Sequence, residues 1–219
     1  MKINFMAAGA LVALGAILGA AAVTTAAPEL NLRGGRFRPL SYDELNPAQK
    51  AMIDRELAAR NRPNLDGPTN IYLRSPEMAD AARPLGRYLR FEAPMEQKLK
   101  EIAILLTGRF WGGHYVWYSH RQWATEAGLA PAIIDAMAAG KRPDPMTADE
   151  AAVFDFSNEL LQTRQVSDAA YKNFVDRFGE RGVVELVGLM GQYHSTTALF
   201  AVDRYPLPGG KKDEIERPM

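Results

Sequence analysis

Apolar residues recur along most of this chain at helical spacing, and no stretch alternates in the manner of a strand. Ser41-Tyr42-Asp43-Glu44 has the spacing of a capping box. It predicts a helix from there to about residue 60, with Leu45, Met52, Ile53 and Leu57 on its apolar side. Residues 61–69 read as a loop by composition. A short helix is expected after Ser75-Pro76, and another from Leu85 to Phe91. From Pro94 the pattern strengthens: Pro suits a first turn, Glu96 favours the positive end of the dipole, and Leu99, Ile102, Ala103, Leu105 and Leu106 form a broad apolar face. Gly112-Gly113 interrupts it. A helix over about 114–127 ends at Gly128, and Pro131 opens a short one that stops before Gly140. A second capping box, Thr147 to Glu150, opens a helix to about Arg164. Ser167 caps another ending near Gly179, and the most apolar helix, about 181–203, belongs at the centre. The expected class is all-α, in one domain spanning 41–209.

The ends read differently. Lys2 is the only charge before Glu29, and the apolar, small-residue stretch between them ends in Thr24, Thr25, Ala26 and Ala27. This predicts a secretory signal over 1–27 and a mature chain that is exported, most simply to a periplasm. The alternative is an uncleaved anchor, since about 20 apolar residues can span a bilayer; membrane contact is expected only in that case. Residues 28–40 read as an extended arm, and 210–219 as a polar, flexible tail.

Charge and cysteine content narrow the chemistry. Lys plus Arg equals Asp plus Glu at 26 each, with no basic stripe, which argues against nucleic-acid binding. Cysteine is absent, which removes disulfides, thiolate nucleophiles and redox CxxC chemistry. The three histidines are His114, His120 and His194, and two of them lie in the aromatic segment WGGHYVWYSH over 111–120. If the chain turns back at Gly112-Gly113, Glu101 lies roughly 15 Å before the turn and His120 about 10 Å after it, close to the same level. A carboxylate against an imidazole can relay protons. Equally, Glu101 can be a solvated helix residue and His120 a core histidine.

Several motifs together weigh toward the first reading. Glu101-Ile-Ala-Ile-Leu-Leu, then Trp111, Tyr115-x-Trp117-Tyr118-x-His120 and Ala127-Gly128-Leu129, resemble the central motif of the carboxymuconolactone decarboxylase and alkylhydroperoxidase D-type family. Asp66-Gly67-Pro68, Ser75-Pro76-Glu77, the run Val183 to Gly188, and Pro206-Leu207-Pro208 extend the resemblance over about residues 36–209. It implies a helical bundle of the alkylhydroperoxidase D type and a homo-oligomer, a trimer or a hexamer. In the peroxidase branch a CxxC pair stands between the glutamate and the histidine; those positions fall here on Gly113 and Val116, so a disulfide cycle is excluded. Val116 also stands where the wider subgroup commonly has glutamate.

What the resemblance leaves is a Glu101–His120 relay beside a pocket. The expected function is a cofactor-independent, decarboxylase-like lyase or an isomerase acting on a small cyclic or aromatic compound. His114, Tyr115, Trp117, Arg121, Tyr193 and His194 are the candidate substrate-binding residues, Arg121 as a clamp for a carboxylate. No cofactor and no metal are expected. Two alternatives remain: a non-catalytic small-molecule binding protein of the same fold, and a metal-dependent lyase or hydrolase using the three histidines.

Overall fold

The computed structural model describes residues 27–59, 65–209 and 211–215, and the leader expectation therefore lies, but for Ala27, outside the described residues. Helices account for 68% of the described residues, with no strand among them. The elements are α1 (Pro47–Ala59), α2 (Thr69–Tyr72), α3 (Pro76–Arg87), α4 (Gln97–Phe110), α5 (His114–Glu126), α6 (Pro131–Ala138), α7 (Ala148–Thr163) and α8 (Asp168–Asp203). None of these helices is long and apolar enough to cross a membrane.

Helix α4 is the axis of the bundle. Ile102, Ala103, Ile104 and Leu105 are all fully buried, because α5, α7 and α8 surround it. Its apolar face joins Trp117 and Leu129 to Phe154, Phe156, Phe174 and Leu186 in one large core. Each such aliphatic or aromatic side chain contributes about 1.5–3 kcal/mol when buried. A smaller core forms around Met52, Ile53, Leu65 and Leu73, where α1 and α3 meet the arm.

Four local boundaries differ from expectation. Helix α1 begins at Pro47 rather than Ser41. Glu44 does accept from the Ser41 N–H at 2.8 Å, but this closes only a 3-10 turn over Tyr42–Glu44. The helix is capped instead by a reciprocal pair: Gln49 N–H donates to Asn46 Oδ1 and Asn46 N–H to Gln49 Oε1, both at 2.9 Å, with Pro47 at the first helical position. Thr69–Tyr72, read as the end of a loop and its sequel, form a helical turn. The two short helices expected between Pro76 and Phe91 are one, α3, which runs straight into a π-helical turn over Tyr88–Glu92. Pro94 lies in the bend before α4, which starts at Gln97 with Glu96 at its cap.

The remaining boundaries fall close to expectation. Thr147 Oγ1 accepts from Glu150 N–H at 3.2 Å, and the Glu150 carboxylate accepts from Thr147 N–H at 2.8 Å. Gly179, with φ 66°, breaks the path of α8. The arm is pinned to the end of α8: Asp203, fully buried, accepts from the backbone N–H of Phe37 at 2.6 Å and of Gly35 at 3.2 Å. The tail, read as loose, makes defined contacts. Ile215 is buried in the main core, and Glu214 accepts from both Trp117 and Arg121 on α5.

Candidate active site

Gly112 (φ 59°) reverses the chain between α4 and α5, and Gly113 N–H donates to Gly108 O at 2.8 Å. A side chain at Gly113 would collide with Thr197 Cγ2 of α8, so glycine is what lets the turn seat against that helix. The hairpin brings Glu101 and His120 face to face. His120 Nδ1 lies 2.6 Å from Glu101 Oε2. Glu101 Oε1 accepts from Gln97 Nε2, one turn earlier on α4, also at 2.6 Å. Glu101 is fully buried and His120 is 7% exposed, so the carboxylate forms the floor and the imidazole the surface of the site.

That surface belongs to a cleft of about 510 Å³, bounded by α2, α3, the π turn, α5 and α8. Tyr193 of α8 meets the His120 ring edge-on, with centroids 4.8 Å apart, and Trp123 flanks it at 5.9 Å. Burial lowers the His120 pKa; the Glu101 carboxylate pulls the other way, and nearby Arg90 adds to the lowering. Burial outweighs the carboxylate, because the ring is almost wholly enclosed by protein, and the imidazole is neutral at pH 7. With Nδ1–H donating to the carboxylate, Nε2 is the nitrogen left with a lone pair. Burial also raises the Tyr193 pKa, so its phenol stays protonated.

The structure brings some of the expected site residues together and not others. Tyr115 lies in the cleft wall, its ring against Phe200 and Tyr205 at 5.0 and 4.6 Å. Tyr193 lies beside His120. Trp117 does not reach the cleft: it is 1% exposed in the main core, and its indole N–H donates to Glu214 at 3.2 Å. Arg121 points away as well, holding Glu214 at 2.6 Å and Asp135 at 3.0 Å on the outer face of α5. The structure thus corrects the clamp expected of Arg121; it ties the tail and α6 to α5. His114 pairs with Asp213 at 3.3 Å and faces a separate hollow beside Trp111 and Arg204. His194 accepts from Trp111 Nε1 at 2.6 Å, outside the cleft. The three histidines therefore diverge. Among the described residues no three His, Asp or Glu side chains converge in a way that could hold a metal ion.

The positions corresponding to the peroxidase cysteines are filled by structure. Gly113 abuts Thr197, and Val116 is 2% exposed, packed in the apolar cluster of Ile104, Leu189 and Phe200.

Several cleft residues carried no signal in the sequence pattern. Arg90 and Phe91 enter from the π turn that follows α3, and Trp123 enters from α5. Gln97 was legible in principle, since four residues before Glu101 is one helical turn.

No known family profile and no curated protein matches the chain. Among solved structures, a protein of unknown function from Agrobacterium tumefaciens, described as a candidate antioxidant defence protein AhpD, is similar over 64% of this chain and 96% of its own. The TM-score is 0.56 at 18% identity, a likeness of fold. The bundle is thus of the AhpD-like type.

Proposed function

We propose that this protein is a cofactor-independent enzyme, a decarboxylase-like lyase or an isomerase, that moves a proton on a small cyclic or aromatic compound held in the His120 cleft. The observation that carries this reading is the 2.6 Å contact between a fully buried Glu101 and a His120 that opens on a 510 Å³ cleft. His120 Nε2 removes a proton from the substrate, and the imidazolium so formed is stabilised through Nδ1–H by Glu101, which Gln97 holds in place. The same nitrogen returns the proton at another atom, or to the leaving fragment. Tyr193 fixes the ring plane and Tyr115 shapes the far wall.

Kinship with the carboxymuconolactone decarboxylases belongs to this proposal, as do export and a trimeric or hexameric state. A second reading, a binding protein that has lost its chemistry, draws on Val116, an apolar wall residue where the wider subgroup commonly carries glutamate.

Turnover of a panel of lactones, β-keto acids and hydroxylated aromatics by wild-type protein and by Glu101→Gln tests the proposal. The variant keeps the shape of the side chain and should lose about a hundredfold or more in rate. An unchanged rate per folded molecule would refute it.

A further inference from the structure

Three arginines line the cleft, and they are not equivalent. Arg83 is paired with Glu56, and Arg87 with Glu92 at 3.0 Å. Among the described residues Arg90 has no acidic partner, and its Nε and Nη2 are shut off from water without a hydrogen bond. The acidic residues of the cleft wall are already engaged: Glu56 by Arg83, and Asp66 by Arg33 and Tyr205. Behind the wall, Glu101 accepts from His120 and Gln97.

Nε–H and Nη2–H form one edge of a guanidinium and point the same way, at the spacing of two carboxylate oxygens. A charged edge shielded from water with nothing to donate to is costly, and a ligand that fills it relieves that cost. Phe91 and Trp123 flank the guanidinium, with ring centroids 4.6 and 4.1 Å from its carbon. Both rings are exposed at the mouth of the cleft, Phe91 at 58% and Trp123 at 38%. The backbone beneath is fixed. Buried Lys100 donates to Arg90 O at 3.1 Å and Ala93 O at 2.7 Å, clamping the π turn one residue from Glu101. Such turns recur at functional sites because they present a side chain that a regular helix would direct elsewhere.

From this we infer that Arg90 is an anion-binding residue, and that the ligand of the cleft is a planar organic carboxylate. Its acid group takes the Nε/Nη2 edge, and its ring or conjugated body lies against Phe91 and Trp123, in reach of His120. The inference rests on the proposed reading of the cleft for where the ligand sits, and not on the ligand being turned over.

The test is calorimetric titration of the full chain with benzoate, 4-hydroxybenzoate and cinnamate, each against its neutral amide. At least one acid should bind about tenfold or more tightly than its amide, and Arg90→Gln should abolish that preference. Glu101→Gln should keep it, which separates this inference from the proton-transfer proposal: loss of turnover without acid preference refutes only the former, and acid preference without a turnover effect refutes only the latter. Should Arg90→Gln not fold, the side-chain Nε–H resonance of Arg90 in wild-type protein decides, moving on addition of the preferred acid and not of its amide. Equal binding of every acid and amide, a preference that survives in folded Arg90→Gln, or an unmoved resonance would overturn the inference.

Discussion

Gly113→Ala tests how the hairpin that carries the site is seated. Gly113 has φ −82°, a conformation any residue can adopt, so backbone strain plays no part. The penalty comes from contact alone. An added Cβ would lie 3.6 Å from Thr197 Cβ, which is ordinary, and 3.2 Å from Gly108 O, which is tight, but it would overlap the Thr197 Cγ2 methyl outright. Thr197 is fully buried and cannot swing into solvent. Overpacking of this kind costs about 1–3 kcal/mol. At roughly 2–4 °C per kcal/mol for a domain of this size, the melting temperature should fall by about 4–8 °C for a 2 kcal/mol loss. The same substitution in a Thr197→Ala background meets no methyl, and only the tight approach to Gly108 O remains. A double-mutant cycle followed by urea unfolding should therefore show a coupling of about 1 kcal/mol or more, with Gly113→Ala milder in the second background. Equal cost in both backgrounds, or no cost in either, would refute the reasoning.

Other consequences follow from the same contacts. Lys100→Met removes two charge-assisted bonds to the π turn; after relief of ammonium desolvation the net loss should be about 1–3 kcal/mol by urea unfolding, with a weaker affinity for any carboxylate ligand. Burial lowers the pKa of both His120 and His194 below 6.5, so the unfolded chain binds more protons than the folded one below that value. Stability should rise with pH toward about 6.5 and be lost progressively as pH falls from there toward the folded-state values, and His120→Gln should flatten part of that slope in unfolding curves. With no cysteine in the chain, metal-free protein should show no dithiol-dependent peroxide reduction in a coupled assay.

Helical periodicity and turn residues carried most of the architecture. Thr147/Glu150, Gly128 and Gly179 stop or start helices through local backbone chemistry, which sequence displays directly. The Glu101–His120 juxtaposition was legible for a related reason: one helical rise and one reversal at Gly112-Gly113 set both positions. Where two local signals competed, the wrong one was read. Ser41/Glu44 and Asn46/Gln49 both have capping-box spacing, and Pro47 decides for the second. Long-range partners escaped altogether. Trp117 is one turn from His120, yet the tail carboxylate of Glu214, far along the chain, draws its indole N–H away from the cleft. Arg121 is claimed by the same carboxylate. Arg90 was hidden because a π turn has no periodicity of its own in so short a stretch.

The central claim is that burial keeps His120 a neutral imidazole while Glu101 fixes its tautomer, leaving Nε2 bare in the cleft. Nitrogen-15 NMR of histidine-labelled protein reads this without a substrate. At pH 7 the account predicts that the His120 ring carries its proton on Nδ1 and none on Nε2, with the Nδ1–H resonance shifted by the short bond to the carboxylate and altered in Glu101→Gln. An imidazolium at pH 7, or a neutral ring protonated on Nε2, would contradict it.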